Sequence, residues 1–325
     1  MCSVLNRGSI MIISASRRTD IPAFFSDWFM NRIREQYALV RNPFNSHQVS
    51  KISLNPDVVD CIVFWSKNPD PMLTRLNELQ NYTFYFQYTL NAYGREIEKN
   101  LPALKQRIAT FQSLSKMIGK ERIIWRYDPI ILNETYTAGW HSSAFSNLAC
   151  QLSGYTGKCK ISFIDMYPTI TNNVRPLGIR EIPGGSISAL ARNLSSIAAS
   201  CGLAIDTCAE KIDLSDCNIR HGCCIDGELI AKLAGCPVNT QKDKNQRPEC
   251  RCAASIDLGF YNTCRNGCLY CYANHSRRQM EERCRSYDST SPLLCSQLSE
   301  DDRIYERKTG SLKNIQYDLF SIPAP

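Results

Sequence analysis

Six short apolar runs, at residues 10–14, 60–65, 83–89, 122–127, 160–165 and 202–207, alternate with stretches of helical character, and this alternation constrains the fold more than anything else in the chain. The runs are rich in β-branched and aromatic residues, as strands buried on both faces are. Helices are expected near residues 23–37, 71–80, 96–117, 138–152 and 186–199. A parallel crossover needs a dozen or more residues, so this spacing predicts βαβ units in an α/β fold, a parallel barrel or a doubly wound sheet. Each run ends in polar side chains: SASRRTD, FWSKNP, QYTLN, WRYDP, IDMYP and DTCAE. In such folds the strand C-termini share one face, and that face carries the chemistry.

Past residue 210 the alternation stops. Residues 1–210 read as the βα body, 211–253 as a cysteine-rich extension with a short helix at 227–234, and 254–325 as a strand, a cysteine loop, a basic amphipathic stretch and a polar tail. Thirteen of the seventeen cysteines fall between Cys201 and Cys295. No secretory signal is visible, and a chain of 325 residues needs no disulfide staples, so metal or redox chemistry in the cytoplasm is expected. The mix of 43% hydrophobic and 21% charged residues is that of a globular protein, and no apolar window is long enough to predict a membrane span. A net charge of +7, scattered among acids, argues against a nucleic-acid partner. The densest basic cluster, Arg277, Arg278, Arg283 and Arg285, is broken by Glu281 and Glu282 and reads as a solvated helix face.

The sharpest motif is Cys264-Arg-Asn-Gly-Cys268-Leu-Tyr-Cys271. Three thiolates on one compact loop can each hold one iron of a [4Fe-4S] cubane and leave the fourth iron open to a cofactor or substrate. Gly267 suits a tight loop, and Leu269 and Tyr270 can shield the cluster. Zinc competes, since the Cys250/Cys252 pair and the triad can form a thiolate site. Zinc ribbons, however, prefer two CxxC knuckles, and the triad would leave one thiolate surplus. The remaining cysteines include Cys217, Cys223, Cys224 and Cys236, which also read as a mix of small buried hydrophobes and spectators. His47, His141, His221 and His275 read as packing or surface residues, with only His221 and His275 near cysteine motifs as reserve acid–base groups. No GxSxG, P-loop or Rossmann fingerprint supports a hydrolase or kinase.

The loop at residues 264–272 resembles the cluster loop of radical S-adenosylmethionine (SAM) enzymes. That resemblance implies a partial or full (β/α) barrel of the radical SAM type, a [4Fe-4S] cluster on Cys264, Cys268 and Cys271, and SAM bound at the open iron. In most such enzymes the loop comes early; here it follows six βα-like units. The resemblance then implies a circular permutation, with the cluster loop near the C-terminus and residues 254–258 forming a strand beside residues 10–14. Arg17 or Arg18 would pair with the SAM carboxylate, with Tyr270, Asn68 and Gln87 as further cofactor-binding candidates. Among the strand exits Lys67 and Arg126 are expected to hold an anionic group, and Asp128 or Glu210 to orient a hydroxyl or amine. Trp65, Asn91, Trp125 and Asp165 are expected beside them. The substrate is read as a small molecule or peptide, with a flavodoxin or ferredoxin as electron donor.

The whole chain is also similar to an uncharacterised bacterial family known as domain of unknown function 1848. The shared segments are SASRRTDIPAF, FWSKNP, FQYTLN, WRYDPI, CAE, CID, KDKNQRPEC and YNTCRNGCLYCYA. This resemblance carries no substrate, but it selects Cys208, Cys224, Cys250 and Cys252 as candidate ligands of a second, fully ligated [4Fe-4S] cluster, and favours Cys224 over Cys223. Because the loop at 264–272 also looks like that of spore photoproduct lyase, a nucleic-acid repair enzyme is the alternative within enzymes. A non-catalytic iron–sulfur or zinc protein is the alternative outside them.

Overall fold

The apolar runs become strands of one parallel sheet in the computed structural model, which describes residues 11–308 and 310–313. In chain order the elements begin with β1 (Ile12–Ala15), α1 (Ile21–Phe24), α2 (Ser26–Glu35), β2 (Tyr37–Asn42), β3 (Asn45–Ser53), β4 (Cys61–Ser66) and β5 (Phe84–Thr89). They continue with α3 (Leu104–Ile118), β6 (Ile123–Ile130), α4 (Ala138–Leu152), β7 (Lys158–Phe163), α5 (Pro168–Val174), α6 (Gly184–Ser200) and β8 (Ala204–Cys208). The last are β9 (Arg220–Gly222), α7 (Gly227–Ala234), β10 (Ile256–Asp257), α8 (Arg277–Arg285) and β11 (Arg303–Glu306). The main sheet runs β10-β1-β4-β5-β6-β7-β8-β9, parallel at every pairing.

The strand expected at residues 254–258 is present as β10 and lies beside β1, with Ile13 opposite Ile256 and Ser14 opposite Asp257. Residue 10 of the first expected run lies outside the described residues, and β1 extends instead to Ala15. Successive strand residues point to opposite faces. Ile13, Ile62, Phe64, Phe84 and Phe86 therefore join the larger core with the helices. On the other face Ile12, Cys61, Val63 and Tyr85 pack with Cys224, Ile225, Ile230, Cys250 and Cys252. The cysteine-rich segment is thus a cover for the second face of the sheet, and its β9 forms the far edge.

Several elements depart from expectation for local reasons. The helix expected over 23–37 is two helices: Asp20 caps α1 by accepting from Ala23 N at 3.1 Å, and Phe25 breaks the run before α2. Gln36, at φ 59, turns the chain so that Tyr37 starts a strand. Residues 71–80 wind as a 3-10 helix, Asp70–Leu79. The helix expected at 96–117 begins only at Leu104, because Pro102 lacks a donor and disfavours helical geometry before it. The β2–β3 hairpin, extended by β11, was not expected; its central strand NSHQVSKIS carries too much polar sequence to read as a strand. In α8, Arg277 and Arg278 face Glu281 at 2.8 Å and Glu282 at 3.6 Å as solvated pairs. Arg283 departs from that face, its guanidinium 4.2 Å over the Phe260 ring. Among the described residues no helix is long and apolar enough to cross a membrane.

Candidate functional site

The C-terminal ends of β1, β4, β6, β7 and β8 surround a cavity of about 460 Å³. Both cysteine sets line it: Cys264, Cys268 and Cys271 from the loop after β10, and Cys208, Cys224, Cys250 and Cys252 from the segments around β8, β9 and β10. Residues from the polar strand exits, expected on one face, line this one cavity.

The triad loop is built by short-range and long-range bonds together. Gly267 sits at φ +68, and a Cβ there would lie 2.9 Å from Asn100 Nδ2. Glycine therefore fits both the turn and the close approach. Leu269 N donates to Ile97 O at 3.0 Å, Cys271 N to Cys268 O at 3.2 Å, and Asn100 N to Asn266 O at 3.1 Å. Asp20 gathers three segments by accepting from Lys67 N at 2.8 Å and Asn266 Nδ2 at 3.0 Å as well as from Ala23 N. Asp257 does the same for β1 and β10. It accepts from Ser14 Oγ at 2.8 Å, Ser16 Oγ at 2.5 Å, Arg17 N at 2.8 Å and Gly259 N at 2.9 Å. Burial pushes all three triad thiols up, Cys268 to about 12 and Cys264 well above its ordinary value. Thiols in such a place become thiolates when a metal takes the proton's position.

Behind the triad lies a buried polar network. Glu98 accepts from Lys67 Nζ at 2.9 Å, Arg107 Nη1 at 3.3 Å, Asn91 Nδ2 at 3.4 Å and the Tyr270 hydroxyl. Lys67 also donates to Tyr270 at 2.7 Å. Burial opposes the Lys67 ammonium, yet the Glu98 carboxylate and Cys268 outweigh it and hold the lysine above its ordinary pKa.

The second set of cysteines forms one contact group. The Cys208 and Cys224 sulfurs are 2.8 Å apart, and Cys252 Sγ accepts from Cys224 N at 3.2 Å and Ile225 N at 3.4 Å. Hydrogen bonds from the Cys208, Cys224 and Cys250 thiols hold Cys252 well below the ordinary thiol range. Arg126 Nη1 lies 2.5 Å from Cys224 Sγ, and its other edge pairs with Asp128. Cys223 packs against this cluster without lining the cavity, and burial pushes its thiol up to about 12.

Between the two sets Trp65 lies under two guanidinium groups, Arg17 at 5.2 Å and Arg126 at 5.1 Å from the ring centroid. Arg17 Nη2, Trp65 Nε1 and Thr19 Oγ1 are buried without a hydrogen-bond partner, and all three residues line the cavity. Three unmet polar atoms around one space suit a polar ligand.

The other expected residues are distributed unevenly. Arg18 lines the cavity but rests 5.1 Å over the Tyr261 ring. Asp165 lines it too, paired with Arg247 at 2.5 Å. Gln87 and Asn68 are not in the lining; Gln87 Nε2 instead donates to Cys224 O at 2.8 Å. Glu210 also stands outside the lining, accepts from Phe163 N at 2.8 Å, and is raised to about 7, chiefly by burial. Trp125 was expected at the site but belongs to the core. Its ring stacks on Phe145 at 4.7 Å and its Nε1 donates to Leu90 O at 2.9 Å. The first residues of a strand exit still alternate between faces, and Trp125 falls on the helix side. His221 and His275 do not line the cavity. His141 is buried between Tyr127 and Ile131 O, and burial lowers it to about 4.

Sequence reasoning missed Asp20, Glu98, Asp257 and Arg247. Asp20 stands within an exit already marked, and Arg247 within the polar run KDKNQRPEC. Glu98 gave no signal, because its segment reads as helix. Among the described residues no three His, Cys, Asp or Glu side chains converge as the ligands of one metal ion do. Thiolates of a cubane bind different irons and need not converge in that way.

Fold and site together define an α/β protein of parallel strands with a cysteine-lined cavity at the strand ends. Residues 12–273 match the family described as Domain of unknown function (DUF1848), and the chain belongs to that family. The matched stretch contains β1 through β10, both cysteine sets and the cavity. No curated protein matches the chain.

Proposed function

We propose that the protein is a radical SAM enzyme in which Cys264, Cys268 and Cys271 hold a [4Fe-4S] cluster and SAM binds beside it in the cavity. The observation that carries this reading is one loop presenting three half-buried, undisulfided thiols to a chamber at the ends of parallel strands. Cluster and SAM together supply reductive cleavage of a carbon–sulfur bond and a 5'-deoxyadenosyl radical. The strand order supports the reading as well. Taken from β10 through β1 to β9, the order is the one that a (β/α) barrel with a moved chain start, a circular permutation, would have.

The protein's own residues then have definite tasks. Lys67 sets positive charge beside Cys268 and offsets its thiolate. The unmet Nη2 of Arg17 and Nε1 of Trp65 are donors for a carboxylate, whether of SAM or of substrate. Arg126, fixed by Asp128, presents a second guanidinium, and Asp128 rather than Glu210 faces the cavity to orient a hydroxyl or amine. The sheet, the triad loop and the 223–253 cover keep water away from a reactive carbon radical. Lys67, Arg126 and Arg247 each face an acid, which favours a small-molecule or peptide substrate over a nucleic-acid backbone. The reading includes a cytoplasmic location and a flavodoxin- or ferredoxin-type electron donor.

Anaerobic reconstitution with iron and sulfide, followed by dithionite and SAM, tests it. 5'-Deoxyadenosine is expected from the wild-type protein and not from Cys264→Ala. Uptake of zinc with no cubane overturns the proposal.

A further inference from the structure

We infer that Cys208, Cys224, Cys250 and Cys252 form a second metal centre, a [4Fe-4S] cluster with all four irons bound by protein. The four residues come from three separate segments, the end of β8, the turn after β9 and the stretch before β10, yet their thiols make one contact group. None is in a disulfide. Packing alone gives no reason to gather four thiols from three segments into one cluster, whereas a thiophilic metal does.

The surroundings fit a cluster with negative charge. Arg126 touches Cys224 Sγ at 2.5 Å, and Arg17 and Lys160 bring two more cations to Cys252 and Cys224. Two backbone N–H groups, from Cys224 and Ile225, already point at Cys252 Sγ at 3.2 and 3.4 Å. Such N–H···S bonds tune iron–sulfur centres. Sulfurs around one tetrahedral zinc, bonded at about 2.3 Å, stand about 3.8 Å apart. The 2.8 Å between Cys208 and Cys224 is shorter, so any metal opens the group. Four thiolates saturate one zinc as fully as they ligate a cubane, and these four line the same cavity as the triad, so the iron and zinc counts below separate the two metals. With no open iron, this centre exchanges single electrons and does not bind SAM.

The inference stands apart from the triad's role, and one set of variants separates the two. After anaerobic reconstitution in the presence of zinc, wild-type protein is expected to hold about eight iron and eight sulfide per chain. The triple variant Cys264→Ala, Cys268→Ala, Cys271→Ala is expected to keep about four of each, with a dithionite-reduced paramagnetic resonance signal that SAM leaves unchanged. The double variant Cys250→Ala, Cys252→Ala is expected to keep about four of each, with a signal that SAM shifts. A triple variant that holds zinc or no iron overturns the second centre and leaves the triad reading intact. A triple variant with its cluster, beside a double variant with none, supports the second centre and removes the triad reading. Should the triple variant lose its far-ultraviolet circular dichroism, the wild-type count decides: about eight iron supports the second centre, and about four, all SAM-sensitive, overturns it.

Discussion

Replacing Glu98 by glutamine tests whether the network behind the triad holds the loop in place. Glu98 is 2% exposed and is the shared acceptor of Lys67, Arg107, Asn91 and Tyr270. Its two cations are buried with it, their side chains 15% and 3% exposed. Glutamine keeps one oxygen but turns an NH₂ group toward one of the cations and removes the charge that compensates both. Breaking a buried ion pair on one side costs about 3–5 kcal/mol, so Glu98→Gln is expected to lower unfolding stability by that amount. Lys67→Met leaves Glu98 paired with Arg107 and is expected to cost less, about 1–3 kcal/mol. In the double variant the two losses overlap by about 1–3 kcal/mol. Urea unfolding of the reduced apoprotein, followed by tryptophan fluorescence and far-ultraviolet circular dichroism, measures all three. A Glu98→Gln midpoint equal to wild type, or strict additivity in the double variant, refutes the reasoning.

Two further outcomes follow from single residues. Glu210, raised to about 7 mainly by burial, binds its proton more tightly when folded, so its contribution is complete below the ordinary carboxylate range and is lost as pH rises to about 7. Glu210→Gln, which keeps the acceptor for Phe163 N, is therefore expected to match wild type near pH 4 and to exceed it by on the order of 2 kcal/mol above pH 7, read by urea unfolding across pH. Gly267→Ala places a methyl group at positive φ against Asn100 and is expected to cost about 1–2 kcal/mol and to reduce iron uptake, measured as iron per chain after reconstitution.

The sheet was legible because parallel strands buried on both faces leave continuous apolar runs, as in CIVFWS and FYFQYT. The β2–β3 hairpin was not, because β3 is half polar and only its pairing with β2 and β11 makes it a strand. The triad was legible from spacing alone, since its three cysteines sit within one loop. Spacing does not show that Cys208, Cys224, Cys250 and Cys252 touch, because long-range packing makes that contact. Arg17 illustrates the same division. The exit SASRRTD marked it, but its seat over Trp65 and beside Cys252 depends on three strands meeting.

The docking of β10 against β1 through Asp257 also sets an order of events during synthesis. Ser14 and Asp257 are 243 positions apart, so the segment bearing the triad leaves the ribosome after the strands that receive it. Until it emerges the β1 edge has no β10 to pair with, so among the pairings of the main sheet that edge closes last.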